Sequence, residues 1–252
     1  MSPSGSLPAR PLRLLALLLV LWLPLGGILA APVASSFSTA TSAFLQKNVN
    51  ADGNVNYAAI KKQPAELNTL LQIVRSLDTK NMSAAERKAF YLNAYNLVVI
   101  GAVVERLPLT SVMKVPGFFD KLAFTVAGEK MTLNELETNK LQKPYSDARI
   151  HFALVCAAKG CPRLSREAYS AATIDAQLTA QTKRVLTDPS FIRVTTGGKK
   201  VLVSEIFKWY ADDFKAPGQA LIAYLNQYRP GQPIPTSYTV DYYSYDWSLN
   251  AL

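Results

Sequence analysis

Histidine and cysteine are scarce in this chain of 252 residues, which has one histidine, His151, and two cysteines, Cys156 and Cys161. A single histidine leaves little for a zinc site, and C-x4-C is looser than the usual zinc spacings. Basic residues outnumber acids, giving a formal charge of +9, yet no basic run of five occurs and pairs such as Lys61-Lys62 and Lys199-Lys200 are scattered. Nucleic-acid binding is therefore not expected. The chain has no Walker loop, Gly-rich dinucleotide turn or G-x-S-x-G elbow, so nucleotide and serine-hydrolase chemistry lack support, and no cofactor is expected. No repeat or low-complexity linker divides it.

The long apolar run is confined to the start, MSPSGSLPARPLRLLALLLVLWLPLGGILAAPVASS. Arg10 and Arg13 precede an apolar stretch from Leu14 to about Leu25, which Gly26-Gly27 and the small residues around Ala30 bring to an end. That order is a secretory signal peptide, here residues 1–30, removed on maturation. Broken by Pro24, the stretch is short of the roughly 20 residues a spanning helix needs. No cysteine follows it to carry a lipid anchor. A periplasmic or secreted product with no membrane span is expected, residues 31–252 forming one domain with a substantial core.

Helical signals dominate the first half. Leu67, Leu70, Leu71 and Val74 share one helix face between Pro64 and Leu77. Ser83 and Glu86 have the capping-box form, opening a run to Leu107 that is apolar on most sides and so belongs inside the fold. Strand signals at Ala123–Val126 and Lys130–Thr132 flank a turn at Ala127-Gly128-Glu129. Thr132 and Glu135 form a second capping box, with a short helix expected through Leu141. Arg149 to Val155 reads as a strand covered on both faces. A helix is expected over Ile174–Leu186, a hairpin over Phe191–Val203, an amphipathic helix over Ser204–Phe214 and another over Gln219–Tyr228. The sum is an α+β domain in which N-terminal helices and a buried central helix pack on a mostly antiparallel sheet.

Chemistry concentrates in DARIHFALVCAAKGCPRL, residues 147–164, which hold the histidine and both cysteines. An imidazole beside a thiol stabilises the thiolate and returns a proton to the leaving group. Cys156, closer to the end of the expected strand, is the preferred nucleophile, with Cys161 as the other choice. Asn93 and Asn96, three apart on one face of the central helix, either orient His151 or tie that helix to a neighbouring loop; Glu137 is a further candidate to orient the ring. Arg149 and Arg163 flank the cluster as candidate carboxylate binders, or else pair with acids such as Asp147. Asp212 and Asp213 read as a solvated helix end. The aromatics of YYSYDW, residues 242–247, read either as a sugar-stacking surface or as a strand sealing the core. A structural or redox-labile Cys156–Cys161 disulfide, in a non-catalytic binding or scaffold module, is the competing interpretation.

Six blocks occur in order: VNYAAI, FYLNAYN, FTVAGEKMTLNELE, the His–Cys segment, IFKWYADDF and YDWSLN. In this the chain closely resembles the family catalogued as domain of unknown function 547, whose members occur in bacterial envelopes, in plant proteins with a coiled coil and in animal proteins fused to glutaredoxin. The resemblance implies a fold and a shortlist of residues, without a reaction. The family more often has Asn-Cys-Ala-Ser and Ser-Cys-Pro where this chain has Val155-Cys156-Ala157-Ala158 and Gly160-Cys161-Pro162. A helix beside a histidine-bearing sheet is also reminiscent of papain-like and transglutaminase-like thiol enzymes, although His151 precedes both cysteines and their order is Cys, then His. The expected activity is a thiol-dependent amide hydrolase or acyltransferase acting on small peptides, and the glutaredoxin fusions suggest γ-glutamyl peptides as a substrate class.

Overall fold

The computed structural model describes residues 30–214 and 221–252. The signal segment lies outside the described residues up to position 29, as does the start of the helix expected from Gln219. Three helices come first: α1 (Ala30–Asn48), α2 (Tyr57–Lys62) and α3 (Ala65–Ser76). α3 buries Leu67, Leu70 and Val74, the face its spacing marked.

The central helix α4 runs Ala84–Glu105. Its N-terminus is closed by the expected capping box: the Glu86 N–H donates to the Ser83 hydroxyl at 3.2 Å, and the Ser83 N–H donates to the Glu86 carboxylate at 2.7 Å. Sixteen of its 22 residues are buried. At roughly 1.5–3 kcal/mol for each large apolar side chain taken out of water, no other element contributes as much to the core. Its main neighbours are α1, α2, α3 and the later helical stretch Leu136–Gln142, with α7 (Ile174–Thr187) touching it less, so α4 packs chiefly on helices and not on a sheet.

Strands β1 (Ala123–Val126) and β2 (Glu129–Thr132) form the expected antiparallel hairpin, with positive φ at Ala127 and Gly128 as a tight two-residue turn requires. Thr132 then caps a continuous helical stretch: α5 (Leu133–Glu135), π-helical turns over Leu136–Gln142, and α6 (Lys143–Tyr145). Strands β3 (Ile192–Thr195) and β4 (Lys200–Ser204) pair antiparallel, and β5 (Thr239–Tyr243) joins β4 in parallel. Both sheets are small, and the domain is α+β. Among the described residues no helix is long and apolar enough to cross a membrane.

Two expectations are corrected. The helix over Ser204–Phe214 is two short ones, α8 (Ile206–Trp209) and α9 (Ala211–Phe214), broken at Tyr210; α10 (Leu221–Gln227) follows. The strand over Arg149–Val155 is instead a 3-10 turn at Ala148–Phe152 followed by irregular chain. Buried backbone must still be hydrogen-bonded, and here side chains supply the partners a sheet would have given. Gln181 of α7 donates to the Phe152 carbonyl at 3.0 Å. Asn96 of α4 donates to the Ala153 carbonyl at 3.0 Å and accepts the Val155 N–H at 2.9 Å.

The C-terminal segment closes over this irregular chain. The Lys159 and Gly160 N–H groups donate to the Ser248 and Asp246 carbonyls, each at 2.8 Å, and the Asn250 N–H donates to the Ala157 carbonyl at 3.1 Å. Gly160 is needed for the close approach: a Cβ there would lie 2.9 Å from the Asp246 nitrogen and 2.9 Å from the Tyr245 ring.

Candidate active site

Past Val155 the chain reverses. Ala157 sits at φ 64°, a conformation uncommon outside glycine, and the turn brings the two cysteines together. The Cys156 N–H donates to the Cys161 Sγ at 3.0 Å. The Tyr245 hydroxyl donates to the same sulfur at 3.0 Å and lies 3.2 Å from the Cys156 Sγ. Both cysteines are free thiols. Burial raises the proton affinity of Cys161, but hydrogen bonds from Cys156, Tyr245 and backbone N–H groups outweigh it, and its pKa lies below the usual thiol value. The hydrogen-bonding contact with Cys161, and then burial, hold the pKa of Cys156 well above the usual thiol value.

His151 Nε2 lies 2.7 Å from an Asp213 carboxylate oxygen. The ring is buried, packed against Tyr210 at 3.9 Å between centroids and against Phe214 at 5.4 Å. A carboxylate on Nε2 selects the Nε2–H tautomer and leaves Nδ1 as an unprotonated base. Burial lowers the pKa of the ring, with the Asp213 bond and charge pulling the other way, so the imidazole is neutral over a wider range than a free histidine. The break between α8 and α9 produces this site: it turns Tyr210 onto the ring and lets Asp213 reach it.

Glu137 projects from the π-helical turns, a feature that recurs at functional sites. Its Oε1 accepts from Gln142 at 2.7 Å and from the Tyr210 hydroxyl at 3.0 Å. Burial raises its pKa, partly offset by bonds from Tyr210 and Tyr95. Glu137, His151 and Cys156 all border one cavity of about 390 Å³, whose other walls include Tyr95, Phe119, Trp209, Tyr245 and Trp247. That volume suits a small-molecule ligand. Asp213 does not border it and so acts on the ring from outside.

The remaining candidates fall elsewhere. Asn93 and Asn96 tie loops to α4: Asn93 donates to the Tyr169 carbonyl at 2.8 Å and accepts the Tyr169 N–H at 2.9 Å, just as Asn96 brackets Ala153 and Val155. Neither orients His151, and neither does Glu137. Asn96 nonetheless holds the stretch between His151 and Cys156 in place. Arg149 is bonded to Asp147 and Asp175 and Arg163 to Asp52 and Asp188, and neither lines the cavity. Cys161 borders a second cavity, of about 460 Å³. Among the described residues no group of three His, Cys, Asp or Glu side chains is arranged to hold a metal ion.

Asp213, Tyr210 and Tyr245 escaped the sequence reading. Asp213 was expected to be solvated, and its pairing with His151 across 62 positions has no local signal. Tyr245 and Trp247 belong to YYSYDW, read either as a stacking surface or as a strand sealing the core; they wall the cavity beyond the end of β5.

No curated protein and no solved structure matches the chain. A family model described as "Protein of unknown function, DUF547" matches residues 79–186, a stretch that contains α4, Glu137, His151, both cysteines and most of α7. Over that segment, rather less than half of the chain, the protein is similar to the DUF547 family.

Proposed function

We propose that the cavity is a thiol-dependent acyl-transfer site that hydrolyses or transacylates a small amide or thioester, with Cys156 as nucleophile. One observation carries this: a thiol, an imidazole whose Nε2 is fixed by a carboxylate, and a buried carboxyl group border the same ligand-sized cavity. In the resting chain the Cys156 Sγ is hydrogen-bonded to Tyr245 and the ring to Asp213; a substrate carbonyl entering between them brings the two into line, as catalytic contacts tighten only in the complex. His151 Nδ1 takes the thiol proton as Sγ attacks the carbonyl carbon. The imidazolium then returns that proton to the departing amine or thiol, leaving an acyl-thioester on Cys156. Water or an acceptor nucleophile, deprotonated by the same nitrogen, releases the acyl group and restores the thiol. Glu137, protonated to a higher pH than an ordinary carboxyl group, donates a hydrogen bond to the developing oxyanion. Asp213 is a positioning residue.

The test is capture of the acyl-enzyme. The protein is incubated with simple acyl thioesters and examined as an intact mass and by peptide mapping. One acyl group on Cys156, absent in Cys156→Ser and slow to form in His151→Ala, supports the proposal. No adduct, or labelling indifferent to His151, contradicts it.

A second reading follows from the sulfur contacts. Two hydrogen-bond donors on Cys161 and a second thiol beside it suit exchange with a small disulfide. The Cys161 thiolate would attack, expelling one thiolate; Cys156 would then displace the second thiol, leaving a Cys156–Cys161 bridge. Loss of two hydrogens from the intact mass on treatment with a small disulfide, without acylation by thioesters, would favour this alternative.

A further inference from the structure

The cavity has a sign opposite to that of the protein. The chain carries 27 Lys and Arg against 18 Asp and Glu, yet among the described residues no Lys or Arg lines the cavity, while Asp120 and Glu137 do. The one histidine in its wall is held towards its neutral form. The same cavity is walled by a cluster of aromatic rings. Trp209 and Trp247 lie nearly parallel, at 5.8 Å and 26°, with Tyr245 against both at 5.0 and 4.7 Å and Phe119 at 6.2 Å from Trp247. Trp209 is 46% exposed although it sits in this cluster, so part of its surface is open to solvent.

The π face of an aromatic ring is electron-rich and attracts a cation within about 6 Å of its centroid, indole most strongly. Clustered aromatic faces with nearby carboxylates recognise alkylated ammonium groups, because the apolar methyls bury against the rings while the charge is met by π density and by the acids. An anion would face the Asp120 carboxylate and the rings' negative faces, with no cation to receive it. A neutral sugar would be stacked, but would draw nothing from the absence of cations.

We infer that the cavity binds an ammonium-bearing small molecule, a quaternary or alkylated amine, with the cationic group against Trp209, Trp247 and Tyr245 and within reach of Asp120. This deepens the acyl-transfer proposal by assigning its substrate class, an amide, ester or thioester with a cationic substituent. It shares that proposal's cavity and is independent of its thiol.

The test uses the tryptophans themselves. Of the three in the chain, Trp22 lies in the expected signal segment and the other two wall the cavity. Choline and tetramethylammonium are titrated against intrinsic fluorescence and by calorimetry, beside 3,3-dimethyl-1-butanol, a neutral isostere of choline, and N-acetylglucosamine. Saturable binding of both cations, at least about tenfold tighter than the neutral isostere, is expected. It weakens several-fold in Asp120→Asn, an exposed position whose change leaves the fold intact, and about tenfold in Trp247→Leu. It persists in Cys156→Ser. Equal binding of the neutral alcohol, preference for the sugar, or no saturable change with either cation overturns the inference. Cation binding without acyl-enzyme formation overturns only the thiol chemistry; acylation without cation binding overturns only the substrate class.

Discussion

Replacing Asn96 with alanine isolates what holds the reactive segment. Asn96 is buried, and its amide makes two hydrogen bonds to backbone that has no strand partner, at 3.0 Å to the Ala153 carbonyl and 2.9 Å from the Val155 N–H. Truncation leaves both groups unpaired in the core. At about 1–3 kcal/mol for each unsatisfied group, less whatever relaxation allows, a loss of about 2–4 kcal/mol is expected. Asn93→Ala is the matched control, since it strips the same two bonds from Tyr169 at a comparable depth. Urea denaturation should show similar losses for the two variants. Only Asn96→Ala should also change the alkylation rate of Cys156 under native conditions, because Val155 precedes Cys156 directly. A loss below about 0.5 kcal/mol for Asn96→Ala, within the range of an ordinary surface change, or identical thiol reactivity in both variants, would refute the role given to this side chain.

The lone histidine makes its titration readable by NMR: Asp213→Asn should move the His151 midpoint down, since burial continues to disfavour the imidazolium while the charge that supports it is gone; an unchanged midpoint would contradict the pairing. Asp147 is largely buried; burial works against its charge, but bonds from Arg149 and Lys88 prevail and hold its pKa at about 2. A lowered carboxylate pKa contributes stability above its unfolded value, lost as pH falls through the window from about 4 to about 2. Allowing for solvent screening, that is on the order of 1 kcal/mol, and Asp147→Asn should flatten the stability profile in that window; parallel profiles would rule this out. Gly160→Ala should cost about 1–3 kcal/mol in urea denaturation by pushing the cysteine loop off the C-terminal segment, and a neutral result would mean the two do not pack as described.

What was legible in the sequence was local. Both capping boxes depend on residues three apart and were found at Ser83 and Thr132, and the β1–β2 turn was marked by Gly128. The buried run of α4 declared itself by being apolar all round. The stretch from Arg149 to Val155 failed because a short apolar run has no period that separates strand from irregular chain, and the side chains that satisfy its backbone, Asn96 and Gln181, come from helices far away in sequence. The same applies to the site. His151, Cys156, Cys161 and Glu137 stood out by rarity or by family block, and three of the four border the cavity. Asp213 and Tyr245 reach their partners across 62 and 84 positions or more. Only the folded chain brings such pairs together.

The reactivity of Cys156 towards iodoacetamide, followed across pH in a Cys161→Ser background with and without His151→Ala, tests most directly whether the imidazole activates the thiol. With His151 present, the rate should level off well below the pH at which a buried thiol ionises unaided, and His151→Ala should slow it roughly tenfold or more near neutrality. Superimposable profiles for the two proteins would mean that His151 plays no part in the chemistry of that sulfur.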